Sequence, residues 1–396
     1  MTVYNDLGVK TIINGAGSLT KLGGTKMDAA VLEAMVEAAG SFVRIEELQA
    51  AAGAVIAELT GAEAGYVVTG AAAGLSLGMA ACIAGLDVSI MDRLPDTTGL
   101  KNEVVVQRGH RNAYDHALRT AGIKFVEVGY LAYPGAGGTY GWQIDAAITE
   151  RTAAVACPII DTPGTVPLPE VAEIAHARGV PVIVDAAAAL PPRANLKRFI
   201  AEGADLVAYS GGKAIKGPQA SGVLAGRADL IASVALQHQD MDVRLATWGK
   251  RDLARRGVVA GIPHQGFGRA MKVGREEIVG LVTALRRFAA GSDDVDRATY
   301  TARIDAIESG ISGIGDIQIS RGAANGGVIP LLKITLDEAA LGKSAYDVLN
   351  ELLDGEPGIA LSETHAEFGV VTVNPHGIED GEVETVIQRL NDVLTR

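Results

Sequence analysis

The stretch that decides the fold reads Asp205-Leu-Val-Ala-Tyr-Ser-Gly-Gly-Lys213-Ala-Ile-Lys-Gly-Pro-Gln-Ala-Ser-Gly-Val-Leu-Ala-Gly226. The apolar run Leu206 to Tyr209 predicts a short buried strand, and Ser210-Gly211-Gly212 breaks it just before Lys213. Gly217-Pro218 turns the chain, and Ser221 to Gly226 predicts a second strand. A lysine at a turn between buried strands is partly dehydrated, which lowers its proton affinity and frees the amine to form a Schiff base. Taken alone, Lys213 and its neighbour Lys216 read first as solvated turn lysines.

Outward from this stretch, strand and helix signals alternate with short connections. Tyr66 to Thr69 is strand-like, ends in Gly70-Ala71-Ala72-Ala73-Gly74 and leads into a buried helix from Leu75 to Ile83. Val104 to Val106, Lys124 to Val128, Ala153 to Ile160 and Pro181 to Asp185 predict further strands. Asn112 to Ala121 and Pro169 to Arg178 predict helices. This rhythm argues for an α/β fold with a mostly parallel sheet covered on both faces, whose chemistry gathers at the carboxyl ends of the strands. On the amino side, Ala29 to Ala39 and Ile45 to Leu59 have helical spacing, the second with a stripe of Leu48, Ala52, Val55, Ile56 and Leu59. A long helix from Lys272 to Ala290 ends at Gly291-Ser-Asp-Asp. Beyond it, strands at 316–320, 331–336 and 369–373 with helices at 344–353 and 380–394 predict a small α+β domain. The expected organisation is an N-terminal arm over residues 1–45, a large domain over 46–290 and a small one over 291–396.

The 396 residues are 48% hydrophobic, 4% aromatic and carry a formal net charge of -12, which opposes nucleic acid or an anionic membrane as the main partner. Cys82 and Cys157, each in an apolar run, read as core thiols and not as a disulfide framework. The N-terminus lacks signal-peptide character and no apolar run is long enough to span a membrane, so a cytoplasmic location is expected. No histidine, cysteine or carboxylate cluster has compact metal-ligand spacing, and neither a Gly-x-Gly-x-x-Gly nor a P-loop pattern is present.

Asp185 closes its strand as Lys213 follows another, so the two can face one crevice. Pyridoxal 5'-phosphate needs this pair: the lysine to hold the cofactor, the carboxylate to keep the pyridinium nitrogen protonated so that the ring acts as an electron sink. On its own, Asp185 also fits an N-cap of a helix over Ala186 to Leu190. The turn at Gly70, Ala71 and Ala72 offers backbone donors for the phosphate at a helix start, and Ser210 offers a hydroxyl. His110 in Gln107-Arg108-Gly109-His110-Arg111-Asn112 is the candidate for stacking on the ring or for proton transfer, with Arg108 as its competitor.

These segments resemble the selenocysteine synthase group of fold-type I pyridoxal phosphate enzymes, and within it the D-glucosaminate-6-phosphate ammonia-lyase-like branch. The resemblance runs through Asn14 to Thr20, Leu59 to Ala64, Gln107 to Asp115, Val184 to Pro192, Ser210 to Gly222, Gly268 to Glu277 and Val373 to Pro375. It implies a large domain around a seven-stranded sheet, a small C-terminal domain, and a homodimer or larger assembly. It carries Lys213 over as the Schiff-base lysine and Asp185 as the pyridinium partner. The synthase has Gly where this chain has Lys216 and Glu where it has His110. With the acidic charge and the lack of an extra N-terminal tRNA-binding domain, these departures argue against tRNA-linked selenium transfer. The expected reaction is α,β-elimination from a β-hydroxy or otherwise β-substituted amino acid, a small-molecule substrate, giving a 2-oxo acid and ammonia. A racemase or epimerase, with Lys213 and His110 as opposed bases, or an aldolase, is the alternative. If the substrate carries phosphate, as in an amino sugar acid phosphate, Lys216, Arg269, Lys272 and Arg321 are the candidates to bind it.

Overall fold

The computed structural model describes residues 3–131, 138–239, 242–263 and 265–395. The chain forms two compact units, one of residues 1–26, 191–193 and 290–396 and the other of residues 27–190 and 194–289. Strand β1 (Ile12–Gly15), after a short helix at Val3–Asp6, belongs to the first unit. Strands β2 (Ala64–Val68), β3 (Glu103–Gln107), β4 (Lys124–Val128), β5 (Thr152–Ala156), β6 (Val182–Asp185), β7 (Leu206–Ser210) and β8 (Gly222–Gly226) belong to the second. Strands β9 (Ile317–Ala324), β10 (Ile329–Leu336), β11 (Gly358–His365) and β12 (Val370–Val373) return to the first.

In the larger unit the seven strands lie in the order β2-β8-β7-β6-β5-β3-β4. Only β8 runs against its neighbours. Val104, Val105 and Val106 are all fully buried, as are their counterparts in β5, because helices cover both faces of the sheet. One face packs the Ala71–Ala84 helix, which is buried at every position but Ala72 and Cys82 and so shows no amphipathic stripe. The other packs Ile56, Phe199, Ile278 and Leu281.

The Ile45–Thr60 helix differs in one respect from its apolar reading. Its buried face is Gln49, Ala52, Gly53, Ile56 and Thr60. Gln49 is inside because β2 is an edge strand: its amide donates to the Val67 carbonyl (2.9 Å) and accepts from the Val67 N–H (3.1 Å), doing for that residue what a neighbouring strand would do. The expected Asn112–Ala121 helix shortens to a 3-10 turn at Ala113–Asp115 and one helical turn at His116–Arg119.

In the smaller unit the sheet order is β1-β11-β12-β10-β9, with β1 parallel to β11. Residues from the beginning and end of the chain therefore share one core, where Ile13 packs with Ile304, Ile334, Ile359 and Val386. Two of its elements, β11 and the Asp293–Ile311 helix, carry no clear signal in the sequence. The helix is mostly exposed and polar, burying only Tyr300, Ile304, Ile307 and Ile311.

Candidate active site

Three strand ends define one edge of the larger sheet. Asp185, the last residue of β6, pairs with Ala208 of β7, two residues before Ser210. Ser210 and Val68 both pair with Gly222 of β8, from its two sides. The ends of β2 and β7 therefore lie two strand spacings apart, about 10 Å. The turn after Val68 and the turn carrying Lys213 open on the same edge.

Lys213 sits half-buried in that turn. Burial lowers its proton affinity, opposed by the negative charge of Asp185. Burial raises the pKa of Asp185 from the usual carboxylate range, opposed by a hydrogen bond from the Ala187 N–H (3.0 Å to Oδ1) and by the Lys213 charge. Residues 186–190 do not form a helix, so the N-cap reading of Asp185 is corrected: its bond to Ala187 closes a local turn, and the carboxylate stays at the strand end. The lysine turn is tight. Gly217 donates to the Gly211 carbonyl (2.8 Å) and Lys216 to the Lys213 carbonyl (2.9 Å). Lys216 holds φ 57, a left-handed conformation that costs a side-chain-bearing residue about 1 kcal/mol.

His110 ends the 3-10 turn that follows β3 and is 4% exposed. Its Nδ1 is buried with no hydrogen-bond partner among the described residues, and burial keeps the ring neutral by lowering its pKa. Arg108, its competitor, is half-exposed and directed to Glu127 at 3.4 Å. Of the two, His110 is therefore the side chain with an unused polar atom inside the fold.

The turn after β2 leaves its backbone without a side-chain cap. Gly70 takes φ 113, open to glycine and strained for other residues, and starts the Ala71–Ala84 helix without any side-chain cap. The first N–H groups of that helix are thus not consumed by a capping side chain, and the helix dipole adds positive potential. Gly222 lies against this turn so closely that a Cβ there would stand 2.6 Å from the Gly70 carbonyl carbon.

Arg269 and Lys272 flank Met271, whose carbonyl accepts from Thr69 Oγ1 at 3.1 Å. Both line a cavity of ≈ 510 Å³ together with Arg44, His238 and Trp248. Lys272 also lines, with Thr69 and Ala220, an adjoining hollow beside the turn after β2. Arg44 and Trp248 were not legible as site residues, since the segment around Trp248 has no periodicity. The Trp248 Nε1, buried with no hydrogen-bond partner among the described residues, becomes apparent only in three dimensions. Arg321 is in the other unit, on β9, where Asp305 (2.7 Å) and Glu308 take its charge.

Residues 12–246, more than half of the chain, match the family described as SelA, L-seryl-tRNA selenium transferase. The chain belongs to that family. This family member is 33% identical to the D-glucosaminate-6-phosphate ammonia lyase of Salmonella typhimurium, over 99% of its own length and 97% of the relative's. It is also 33% identical to the 5'-C-glycyluridine monooxygenase-decarboxylase of a Streptomyces species, over 99% and 92%. The solved structure of D-glucosaminate-6-phosphate ammonia-lyase superposes with a TM-score of 0.82 at 31% identity, covering 100% of this chain and 98% of that one.

The protein has the fold of fold-type I pyridoxal phosphate enzymes and is one of them. The residues present fit the cofactor. A half-buried lysine, a carboxylate at the neighbouring strand end, an uncapped helix start and a buried histidine nitrogen with no partner among the described residues suit a pyridine ring with an aldehyde and a phosphate.

Proposed function

We propose that the protein is an ammonia lyase that removes the β-substituent and the amino group of a β-hydroxy or otherwise β-substituted amino acid. The observation that carries this reading is the full-length likeness to D-glucosaminate-6-phosphate ammonia lyase, in sequence and in structure.

Lys213 Nζ would hold the cofactor and, once released, take the α-proton of the substrate; its depressed proton affinity favours both roles. Asp185 would accept a hydrogen bond from the protonated ring nitrogen. Bound pyridoxal phosphate supplies an aldehyde carbon for the substrate amine and a ring that withdraws electrons from Cα. His110, neutral in its buried site, is the second group able to accept or return a proton. The N–H groups at Gly70, Ala71 and Ala72 and the Ser210 hydroxyl would bind the phosphate. For a β-hydroxy acid the balance is simple: a proton leaves Cα, hydroxide leaves Cβ as water, the enamine product tautomerises, and water converts its imine to a 2-oxo acid and ammonia.

A phosphorylated amino sugar acid fits the cations beside the site. Arg269 and Lys272 line the cavity next to the anion turn, and Lys216 lies three residues past Lys213. Arg321, already paired with two carboxylates, is the weakest of the four candidates. We also propose a cytoplasmic homodimer or larger homo-oligomer, supported by the exposed side chains of Val36, Phe42 and Val43 on the larger unit.

A second reading, oxidative decarboxylation of an amino acid, is favoured by the equally similar monooxygenase-decarboxylase relative. One experiment separates them. Holoenzyme is incubated with D- and L-β-hydroxy amino acids and amino sugar acids, with and without phosphate. Equal amounts of 2-oxo acid and ammonia support elimination; oxygen uptake with carbon dioxide release replaces it with the second reading. Exchange and inversion at Cα without ammonia would establish a racemase and defeat both.

A further inference from the structure

The carbonyl of Met271 is taken by two donors from separate elements. Thr69 Oγ1 donates to it at 3.1 Å, from the residue just before Gly70. His238 Nε2 approaches it at 2.8 Å, from the end of the Ala228–His238 helix. A carbonyl only accepts, so this Nε2 carries the proton, and in the neutral ring Nδ1 is left as an acceptor. Tyr66 OH fills it at 3.0 Å, with the two rings edge to face at 5.4 Å. Burial raises the Tyr66 pKa and lowers that of His238, which keeps the phenol protonated and the imidazole neutral.

Tyr66 and Thr69 lie on one strand and its turn. That strand end therefore holds Met271 twice, directly through Thr69 and indirectly through Tyr66 and His238. The segment has little room to slide: a Cβ at Gly268 would stand 2.5 Å from Leu77 Cδ2 and 2.9 Å from the His238 Cα. The arrangement fixes the Thr69 side chain, and with it the peptide entering Gly70, where the φ of 113 depends on its surroundings.

We propose that His238 is a positioning residue which, with Thr69, clamps the Met271 carbonyl and so holds the Thr69–Gly70 turn in the shape that receives the cofactor's phosphate. The clamp acts through backbone and side-chain hydrogen bonds, and His238 also lines the cavity that holds Arg269 and Lys272. The clamp rests on the reading of this turn as the phosphate site, and it predicts an effect confined to phosphate recognition.

The test uses the full-length protein, stripped of cofactor and titrated with pyridoxal 5'-phosphate and, separately, with pyridoxal, following the absorbance of the bound form. The wild type should prefer the phosphorylated form. His238→Leu should cut that preference about tenfold, the equivalent of about 1.4 kcal/mol, and His238→Gln, whose amide N–H still reaches the Met271 carbonyl, should recover most of it. Equal weakening of both ligands, or an unchanged preference in folded His238→Leu, overturns the clamp. If His238→Leu does not fold, Tyr66→Phe must shift the preference in the same direction, and no shift overturns the proposal. A wild type without any preference overturns the phosphate site itself, and the clamp with it.

Discussion

The Asp185 carboxylate and the Lys213 amine each shift the other's proton equilibrium from neighbouring strand ends. Burial works against both charges, and their attraction only partly offsets it. If Lys213 holds the cofactor, Lys213→Ala should abolish the visible absorbance of the holoenzyme and lower turnover by at least about a thousandfold, a loss expected when a covalent catalyst and base is removed. Retained colour with full turnover would show that another group holds the cofactor.

Asp185 makes a prediction about stability as well. Its pKa is raised in the folded state, so the fold favours the protonated carboxyl: any stability from it is present below the unfolded pKa and lost as pH rises through the folded one. At neutral pH the ionised group is therefore a net cost, even with Lys213 nearby. In cofactor-free protein, Asp185→Asn should melt at a higher temperature than wild type at pH 7 to 8. The difference should shrink as pH falls toward the usual aspartate pKa of about 4. A variant that melts lower at pH 8 and recovers on acidification would reverse the assignment.

For His110 the buried Nδ1 without a partner separates folding from chemistry. Replacing it by Phe breaks no hydrogen bond at that nitrogen, so the melting temperature of cofactor-free protein should change little. Turnover should fall about 10²- to 10⁴-fold if the ring moves a proton. A fall confined to cofactor affinity, with a shifted absorbance band, would mark the ring as a stacking partner only.

Gly222 sits where a methyl group would meet the Gly70 backbone. Gly222→Ala should cost about 1–3 kcal/mol of stability, as other overpacked interior sites do, and should weaken pyridoxal phosphate binding measured by titration. Unchanged affinity would mean that the turn shifts without consequence for the phosphate.

Gln49 tests the edge strand that leads into the Thr69–Gly70 turn. Gln49→Leu leaves the Val67 N–H and carbonyl unpaired at a buried edge, at a cost of about 1–3 kcal/mol. Denaturant melts should show the loss, and unchanged stability would mean that other groups satisfy the Val67 backbone.

The sequence by itself determined the alternation of strand and helix, the buried run ahead of Lys213, the Asp185 strand end and the Gly70–Gly74 turn. Each is written in a few adjacent residues, because strand burial, glycine conformation and helix starts are local matters. Tertiary structure decided what depends on distant partners. Gln49 is interior only because β2 is an edge strand, and β1 joins the C-terminal sheet only because β11 offers it a parallel partner 346 residues away at the paired positions Ile12 and Gly358. The buried His110, the Trp248 nitrogen with no partner among the described residues and the Thr69–Met271–His238 clamp likewise exist only once the strands are in order. Lys213 alone is an ordinary turn lysine; packing is what half-buries it and brings the charge of Asp185 to bear on it.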